Sequence, residues 1–359
     1  MSGLAELGNL WHSIQAWLFP VLEDELGELD DRHREFVAVC ETCDPRRHMA
    51  VYRWIGNGCP PKDRLALCKA FIAKAVWDFP TTSALIDAVL HRPALRRLCG
   101  WETIAEIPGE STFSRAFAAF AEDQLPQRIQ EAMIKEHYGD KIAGHISRDG
   151  TAIHGREKAA KKEPKPVPPA EGEDPVSSEL TRLQRQLERT LEDNLADLPQ
   201  GCDWGTKKDS KGRKESWRGY KLHLDVIDGD VPISWLVTSA SMHDSQAAIP
   251  LAQMSAGRVT SLYDLADAAY DAKEIRLMSE RLGHVAIIDH NPRRGEKREF
   301  APAEAIRYRQ RSSAERVNSH LHDNHGGRHV RVRGAVKVAA HLSFGLLVIA
   351  AEQLLTMLC

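Results

Sequence analysis

The chain has 359 residues, of which 42% are hydrophobic and 28% are charged, so it is long enough for a sizeable core and one accessory domain. This composition excludes a collagen-like, a disulfide-framed and a wholly disordered protein. Because 48 Lys and Arg face 51 Asp and Glu, giving a net charge of -3, a nucleic-acid partner would have to be bound by local basic patches. The seven cysteines, an odd number in a long chain, are typical of reduced thiols.

The ends of the sequence favour a cytoplasmic protein. The first residues lack the basic start, apolar middle and small-residue cleavage site of a secretory signal. The most apolar run, residues 342–358, contains Glu352 and Gln353, which predicts a core or interface helix rather than a membrane span. We therefore expect no membrane partner.

Residues 60–140 are predicted to be helical, because apolar residues recur there at spacings of three and four. Within residues 112–122 the spacing places four apolar residues on one helix face: Phe113, Ala116, Phe117 and Phe120. Ser111 is the predicted helix cap, after a Pro108-Gly109 turn. A helix-turn-helix with Arg115 facing outward would suit a DNA-binding unit, but ordinary helical packing is the interpretation that we favour.

A change in composition at Lys141 marks the start of a second region. Residues 141–153 are a short apolar stretch that ends in Arg148-Asp149-Gly150-Thr151, and a strand is predicted before Asp149. The Lys-, Glu- and Pro-rich run over residues 156–175 is typical of a solvated linker or a flexible insertion. Leucines at helical spacing then predict one amphipathic helix over residues 179–198, which lies inside the insertion or contacts a partner.

Residues 219–239 have the clearest strand pattern in the chain. Apolar residues from Tyr220 to Val226 alternate with polar ones, and Asp228-Gly229-Asp230 supplies a turn, so we predict a hairpin. The elements predicted to follow are a helix (245–254), a strand (259–265), a helix (269–282), a strand (284–289), a basic loop (291–298), a helix (303–323) and an apolar C-terminal helix. This order predicts an α/β domain, a mixed sheet with flanking helices, after an all-helical N-terminal region.

Three carboxylates lie on separate elements of the predicted domain. Asp149 ends the first strand, Asp267 follows the fourth, and Glu315 lies in the late helix. Three carboxylates that converge at one sheet edge form a hard-oxygen site suited to Mg²⁺. Two such ions are what phosphoryl transfer on a diester uses, since they activate the attacking oxygen and stabilise the leaving one.

The late helix is predicted to have one polar and one apolar face. At about 100° per residue its polar face collects Tyr308, Arg311, Glu315 and His322, and the opposite, apolar face collects Ile306, Ala314, Val317 and Leu321. Arg311 and Tyr308 suit a phosphate beside a metal, the first as a bidentate donor and the second through its hydroxyl. The competing interpretation, a surface helix whose polar face is merely solvated, stays open on this pattern alone.

The spacing of Tyr308, Arg311 and Glu315 resembles the Y-R-E-K signature of DDE transposases encoded by bacterial insertion sequences. The sequence segments around the three acids also resemble those of this family: Arg148-Asp149-Gly150-Thr151, Asp267-Ala268-Ala269-Tyr270-Asp271 and Glu315-Arg316-Val317-Asn318. Further similarity covers residues 217–223 and 239–245. The resemblance spans about residues 140–345 and, more weakly, 95–120. The sequence departs from the signature at His322, where the family usually has Lys, and a neutral imidazole lacks the permanent charge of an ammonium group.

The resemblance implies a ribonuclease-H-like catalytic domain over residues 141–335 with a flexible insertion at about 156–215. Residues 1–140 would then be a helical region that binds the DNA ends, and residues 336–359 an apolar C-terminal helix.

The resemblance also implies a chemistry. Asp149, Asp267 and Glu315 would bind two Mg²⁺ ions, with Mn²⁺ as an alternative, and cut double-stranded DNA at the terminal inverted repeats. The freed 3′-hydroxyl would attack target DNA, while Tyr308, Arg311 and His322 hold phosphates near the cut. Joining two ends implies at least a homodimer, acting at the bacterial nucleoid.

Local charge agrees with a DNA partner. Residues 293–333 contain 11 Lys and Arg against 5 acids. A second basic patch leads into the hairpin: Lys207, Lys208, Lys211, Arg213, Lys214, Arg218 and Lys221. Such patches can bind phosphates, although a run of charge is more often a solvated face.

Other functions and sites remain as alternatives. Cys40 and Cys43 have the spacing of half a zinc site, and four histidines could bind a transition metal: His320, His322, His325 and His329. In His243-Asp244 the acid is predicted to cap a helix rather than form a catalytic dyad. The rival functions are a catalytically decayed, transposase-derived DNA-binding protein and a Mg²⁺-dependent nuclease of the same fold, which cuts but never joins.

Overall fold

The computed structural model describes residues 3–56, 60–159, 180–208, 212–292 and 296–358. The N-terminal region is helical, as predicted. Its helices are α1 (Gly3–Ser13), α2 (Phe19–Leu26), α3 (Asp31–Cys43), α4 (Arg64–Val76), α5 (Thr82–His91), α6 (Pro93–Cys99), α7 (Glu110–Glu122) and α8 (Leu125–Tyr138). Side-chain caps begin several of them, because an Asp or Thr oxygen accepts from backbone N–H groups that lack a helical partner. Asp30 caps α3, Asp63 caps α4 and Thr81 caps α5 in this way.

Helix α7 has the predicted apolar face, and its residues are buried in the N-terminal core. Phe113, Phe117 and Phe120 surround the ring of Phe71 on α4, with ring centroids 6.0, 5.1 and 6.3 Å away. The predicted cap was wrong. The helix begins at Glu110 with Gly109 as its N-cap, so Ser111 already lies in the first turn.

The second region contains a mixed sheet. Its strands are β1 (Ile142–His154), β2 (Asp203–Lys208), β3 (Lys214–Ile227), β4 (Val231–Ser239), β5 (Thr260–Ala266) and β6 (Val285–Ile288). The sheet order is β2-β3-β1-β5-β6. The first half of β3, residues 214–219, pairs with β2, and its second half, residues 220–227, pairs with β4. Strands β1, β3 and β4 pair antiparallel, whereas β1, β5 and β6 pair parallel. The predicted hairpin and the mixed α/β character are therefore confirmed.

Helices flank this sheet and follow it. They are α9 (Arg182–Glu188), α10 (Leu191–Ala196), α11 (Ser245–Ala256), α12 (Lys273–Arg281), α13 (Pro302–Tyr308), α14 (Ser312–Asn324) and α15 (Ala335–Thr356). The predicted helices at 245–254 and 269–282 correspond to α11 and α12.

Two predicted helices are each divided in two. The helix expected over residues 179–198 is α9 and α10, because Thr190 leaves the helical path and its hydroxyl caps α10 at the N–H of Asp193. The helix expected over residues 303–323 is α13 and α14, separated by a 3-10 turn at Arg309–Arg311. Strand β2 was not predicted, because Asp203–Lys208 lacks apolar alternation and is paired only through β3. Most of the predicted Pro-rich insertion, residues 160–179, lies outside the described residues.

Helix α15 forms the centre of the molecule. Its length and composition would suffice to cross a membrane, but 78% of its most apolar window is buried inside the protein. Phe344, Leu347 and Val348 pack among the N-terminal helices, whereas Leu342 and Leu346 pack against the apolar residues of β3 and α14. The predicted core helix is therefore confirmed, and it joins the helical region to the sheet.

Candidate active site

Asp149 and Asp267 lie side by side because of the parallel pairing of β1 with β5. The last paired residues are Ser147 and Leu265. Asp149 lies two residues further along β1, which continues to His154 through its pairing with β3 rather than ending at Asp149 as predicted, and Asp267 directly follows the end of β5. Because the parallel pairing stops at the same level on both strands, both carboxylates lie just beyond it. The register of β1 and β5 therefore places these two acids next to each other, as the sequence predicted.

Helix α14 lies over this edge and carries Glu315. The hydroxyl of Ser147 donates to the carbonyl of Gln310 at 2.9 Å, which ties the start of the helix to β1. One turn beyond Glu315, the side-chain amide of Asn318 donates to Asp149 Oδ2 at 3.0 Å. The opposite face of α14 is buried through Ala314, Val317 and Leu321, as the angular pattern predicted. Ile306, predicted for the same face, is 65% exposed, because it lies on the separate helix α13.

The acids influence one another electrostatically. Burial raises the pKa of Asp149 to about 6, and the nearby charges of Asp267 and Glu315 add to that increase. Burial also raises the pKa of Asp267, with Asp244 and Asp289 contributing, while the Arg311 guanidinium opposes both increases. The site therefore has more negative charge than Arg311 alone compensates.

Glu315 is engaged in an ion pair at the exposed side of the site. It is 53% exposed and pairs with Arg311, whose Nη2 lies 2.6 Å from Oε1. Within the described ranges, the three predicted acids do not form a group whose ligand atoms all lie within 4.8 Å of one another. The strand register thus brings Asp149 and Asp267 to neighbouring positions, and Glu315 acts on Asp149 electrostatically while it is paired with Arg311.

The predicted phosphate-binding residues extend from this cluster. The Tyr308 ring packs on Phe300, with centroids 4.6 Å apart, and the Arg311 guanidinium lies 5.6 Å from the Tyr308 centroid. His322 lies two turns beyond Glu315, where its Nε2 is 3.2 Å from the Thr151 hydroxyl on β1. Burial lowers the pKa of His322, so its imidazole is neutral at pH 7.

Lys221 and Asp244 form a part of the site that the sequence did not reveal. Lys221 Nζ lies 2.8 Å from Asp244 Oδ1, which is also 3.8 Å from Nδ1 of the buried His223. Asp244 was predicted to cap α11, but it makes no side-chain cap bond, because its carboxylate is engaged by Lys221. Gly150 allows this approach, since a Cβ there would lie 3.1 Å from Asp244 Oδ1.

Behind the site, a buried ion pair fixes the central strands. Arg148 donates from Nε and Nη2 to both oxygens of Asp225 at 2.8 and 2.7 Å, and the Ser255 hydroxyl also donates to Asp225 at 2.7 Å. Because side chains alternate along a strand, Arg148 lies on the face opposite Asp149. The Arg148–Asp225 pair therefore joins β1 to β3 on the face of the sheet opposite Asp149.

The donors at the sheet edge fit divalent cations. Asp149, Asp267 and Glu315 offer carboxylate oxygens, the ligands that Mg²⁺ and Mn²⁺ prefer. The raised pKa values of Asp149 and Asp267 reflect burial first and the neighbouring acids second, and a dication would offset both costs. The buried Tyr270 hydroxyl has no hydrogen-bond partner, and its raised pKa reflects burial and then the nearby charges of Asp244, Asp149 and Asp267.

Two other predicted features have no part in this site. His243 Nδ1 lies 2.8 Å from the Ser245 hydroxyl, so it does not pair with Asp244 as a dyad. Cys40 and Cys43 are buried free thiols in α3, and burial raises the pKa of both. They behave as core residues of that helix.

Fold and site together define an α/β protein with an acidic, metal-compatible centre at the edge of a mixed sheet. Two family profiles match the chain: Transposase DDE domain over residues 175–350 and Transposase domain (DUF772) over residues 23–119. The chain belongs to the DDE transposases of insertion sequences. Together the matches cover about three quarters of it and include Asp267 and Glu315, whereas Asp149 precedes the first. No curated protein and no solved structure matches the sequence.

Proposed function

We propose that this protein is an active transposase, which cuts DNA at the terminal inverted repeats of an insertion sequence and joins the 3′-hydroxyl ends to target DNA. The observation that carries the proposal is the meeting of Asp149 and Asp267 at the parallel edge of β1 and β5, under the helix that bears Glu315. The strand order, with an antiparallel hairpin beside parallel strands, supports the ribonuclease-H-like domain that this proposal requires.

Asp149, Asp267 and Glu315 would hold two Mg²⁺ ions, which supply Lewis-acid activation of the attacking and leaving oxygens in phosphoryl transfer. Glu315 becomes available as a ligand when Arg311 leaves it for a DNA phosphate, a better partner for a bidentate guanidinium. Tyr308 donates its hydroxyl to the same backbone. His322, neutral and turned to Thr151, offers one hydrogen bond rather than a charge.

A basic cleft supports a DNA partner. It encloses about 500 Å³ between α4, α5, α7 and the segment before α15, and five of its lining residues are Lys74, Arg156, Arg331, Arg333 and Lys337. Lys74 is only 8% exposed, and burial lowers its pKa to about 8. Unbalanced cations in a concave surface attract phosphates.

The basic patches predicted from sequence are partly neutralised. Arg316 pairs with Asp230, Arg328 with Asp323, and Lys221 with Asp244. Lys211, Arg293 and Arg294 lie outside the described residues. The cleft is therefore the stronger candidate for a DNA contact.

We assign residues 1–140 to DNA-end binding, 141–335 to catalysis and 336–359 to the apolar helix. A homodimer would hold two transposon ends at the bacterial nucleoid. Helix α15 packs against both the N-terminal helices and the sheet, which supports the proposal that DNA bound by the first region is positioned relative to the acids of the second.

The test is a cleavage and strand-transfer assay in Mg²⁺ on a duplex that carries the inverted repeat flanking the gene. We expect cut and joined products from the wild type and from Glu280→Gln, an exposed acid of α12, and neither product from Glu315→Gln. Equal activity of the two variants would refute the role of Glu315.

The neutral His322 favours one rival, the catalytically decayed DNA-binding protein, because it weakens the hold on the DNA end. That rival predicts binding of the repeat without cutting by the wild type. A same-fold nuclease would give cut DNA without the joined band.

A further inference from the structure

A second group of metal-binding side chains lies where α14, α15 and the N-terminal helices meet. Ligand atoms of His320, His325 and Glu352 all lie within 4.8 Å of one another. His320 is five residues beyond Glu315 on α14, so it projects about 140° away from the acid that faces the sheet edge. The group is therefore separate from the candidate active site.

His325 is oriented as metal ligands are. Its Nδ1 lies 3.1 Å from the Ala75 carbonyl at the end of α4, an acceptor to which only a protonated Nδ1 can bond. The neutral ring then carries its lone pair on Nε2, which is directed into the group. A histidine whose other nitrogen donates to a backbone carbonyl has the supporting contact typical of metal sites.

The spacing of the donors suits one small ion. His325 Nε2 lies 3.2 Å from His320 Nε2 and 3.7 Å from Glu352 Oε2. Bonds of about 2.0–2.1 Å to a tetrahedral zinc ion place neighbouring ligand atoms about 3.3 Å apart. The observed separations bracket that value, so small side-chain movements would complete the geometry.

Glu352 supplies an independent sign of a missing partner. Its Oε1 is buried and accepts no hydrogen bond, although a buried carboxylate oxygen normally has a partner. Its other oxygen, Oε2, is the one that lies 3.7 Å from His325 Nε2. A dication would remove the cost of the buried carboxylate and accept both imidazole lone pairs.

We propose that His320, His325 and Glu352 bind a zinc ion that fastens α14 to α15 beside the N-terminal helices. Two imidazoles and one carboxylate favour Zn²⁺ over Mg²⁺, which prefers oxygen ligands alone. Glu35 of α3 or water completes the coordination. Glu35 and Glu352 both line a surface cavity of about 570 Å³, which gives the ion a route of entry.

The competing explanation is a metal-free network in which His320 donates to His325 and a protonated Glu352 donates to Glu35. The full-length protein, stripped with EDTA, is titrated with Zn²⁺ against a chromophoric chelator. Excess Mg²⁺ keeps the carboxylate edge occupied during the titration. Melting temperature is recorded with and without zinc, and Co²⁺ substitution reports geometry through its visible absorption.

We expect one zinc per chain, a higher melting temperature with zinc, and a tetrahedral Co²⁺ spectrum. Glu352→Gln and His320→Asn should each weaken zinc binding at least about tenfold, as loss of a ligand or its supporting contact does. The control His91→Asn, an exposed histidine of α5, should bind zinc as the wild type does.

Circular dichroism of the EDTA-treated variants separates loss of a ligand from loss of fold. Absence of stoichiometric zinc binding by the wild type would overturn the proposal. So would unchanged affinity in both folded ligand variants.

Discussion

Replacing Asp149 by Asn should stabilise the metal-free protein while abolishing its activity. Asp149 is partly buried at the sheet edge, near the charges of Asp267 and Glu315, and accepts one side-chain hydrogen bond from Asn318. An amide fills the same space without the charge, and its oxygen can still accept from Asn318. The substitution therefore removes the cost of burying a charge, and with it the repulsion from the neighbouring acids, and keeps the packing.

The size of the effect follows from the pKa. The Asp149 carboxyl has a pKa of about 6 in the folded protein against an ordinary 3.8. One pKa unit corresponds to about 1.4 kcal/mol, so the ionised group costs the folded state about 2–3 kcal/mol at pH 7.5.

The pH dependence has a definite sign. A carboxyl whose pKa is higher in the folded protein favours folding while it is protonated and loses that advantage as the pH rises. The gain from Asp149→Asn should be absent below about pH 4, grow between pH 4 and 6, and stay constant above.

Thermal unfolding in EDTA, followed by circular dichroism at several pH values, measures this gain. We expect a melting temperature a few degrees above wild type at pH 7.5, and stabilisation by Mg²⁺ in the wild type but not in the variant. Asp87→Asn, an exposed acid, should change neither. Destabilisation at pH 7.5, or retained Mg²⁺ stabilisation, would refute the reasoning.

Three further substitutions test other parts of the structure. Asp225→Asn leaves the buried Arg148 without its charged partner and should cost about 3–5 kcal/mol in urea unfolding, whereas a loss under 1 kcal/mol would show that the pair is dispensable. His322→Lys restores a permanent charge, so binding of the repeat by fluorescence anisotropy should tighten and its salt dependence should steepen by about 0.9 in log-log slope; an unchanged slope would mean that position 322 touches no phosphate. Leu347→Ala, at a fully buried position of α15, should lower the free energy of unfolding by about 2–5 kcal/mol, and a smaller loss would contradict the central role of that helix.

Patterns local in the chain were predictable from sequence. Alternation from Tyr220 to Val226 specified the hairpin, because a strand with one buried face repeats every two residues. The buried face of α14 followed from helical spacing in the same way. The order of the acids and their neighbouring residues gave the family, which the profile matches confirm.

Features that join distant residues came only with the tertiary structure. Strand β2 has no apolar alternation of its own and exists through its pairing with β3. Asp244 engages Lys221 across the sheet edge rather than capping its own helix, since packing brings the ammonium within 2.8 Å. The break at Arg309–Arg311 lies where Gln310 bonds to β1, a contact invisible in helical periodicity.

The four histidines near residue 325 illustrate best the difference between what the sequence predicts and what the tertiary structure decides. Their sequence determined only that imidazoles are dense there. The fold directs His322 to Thr151 on β1 and gathers His320 and His325 with Glu352, which is 27 residues farther along the chain than His325. Sequence fixes which chemical groups are present and which face of a helix or strand they share. Only the packing of α14, α15 and the sheet decides which of those groups meet, because such contacts depend on burial and register between elements far apart in the chain.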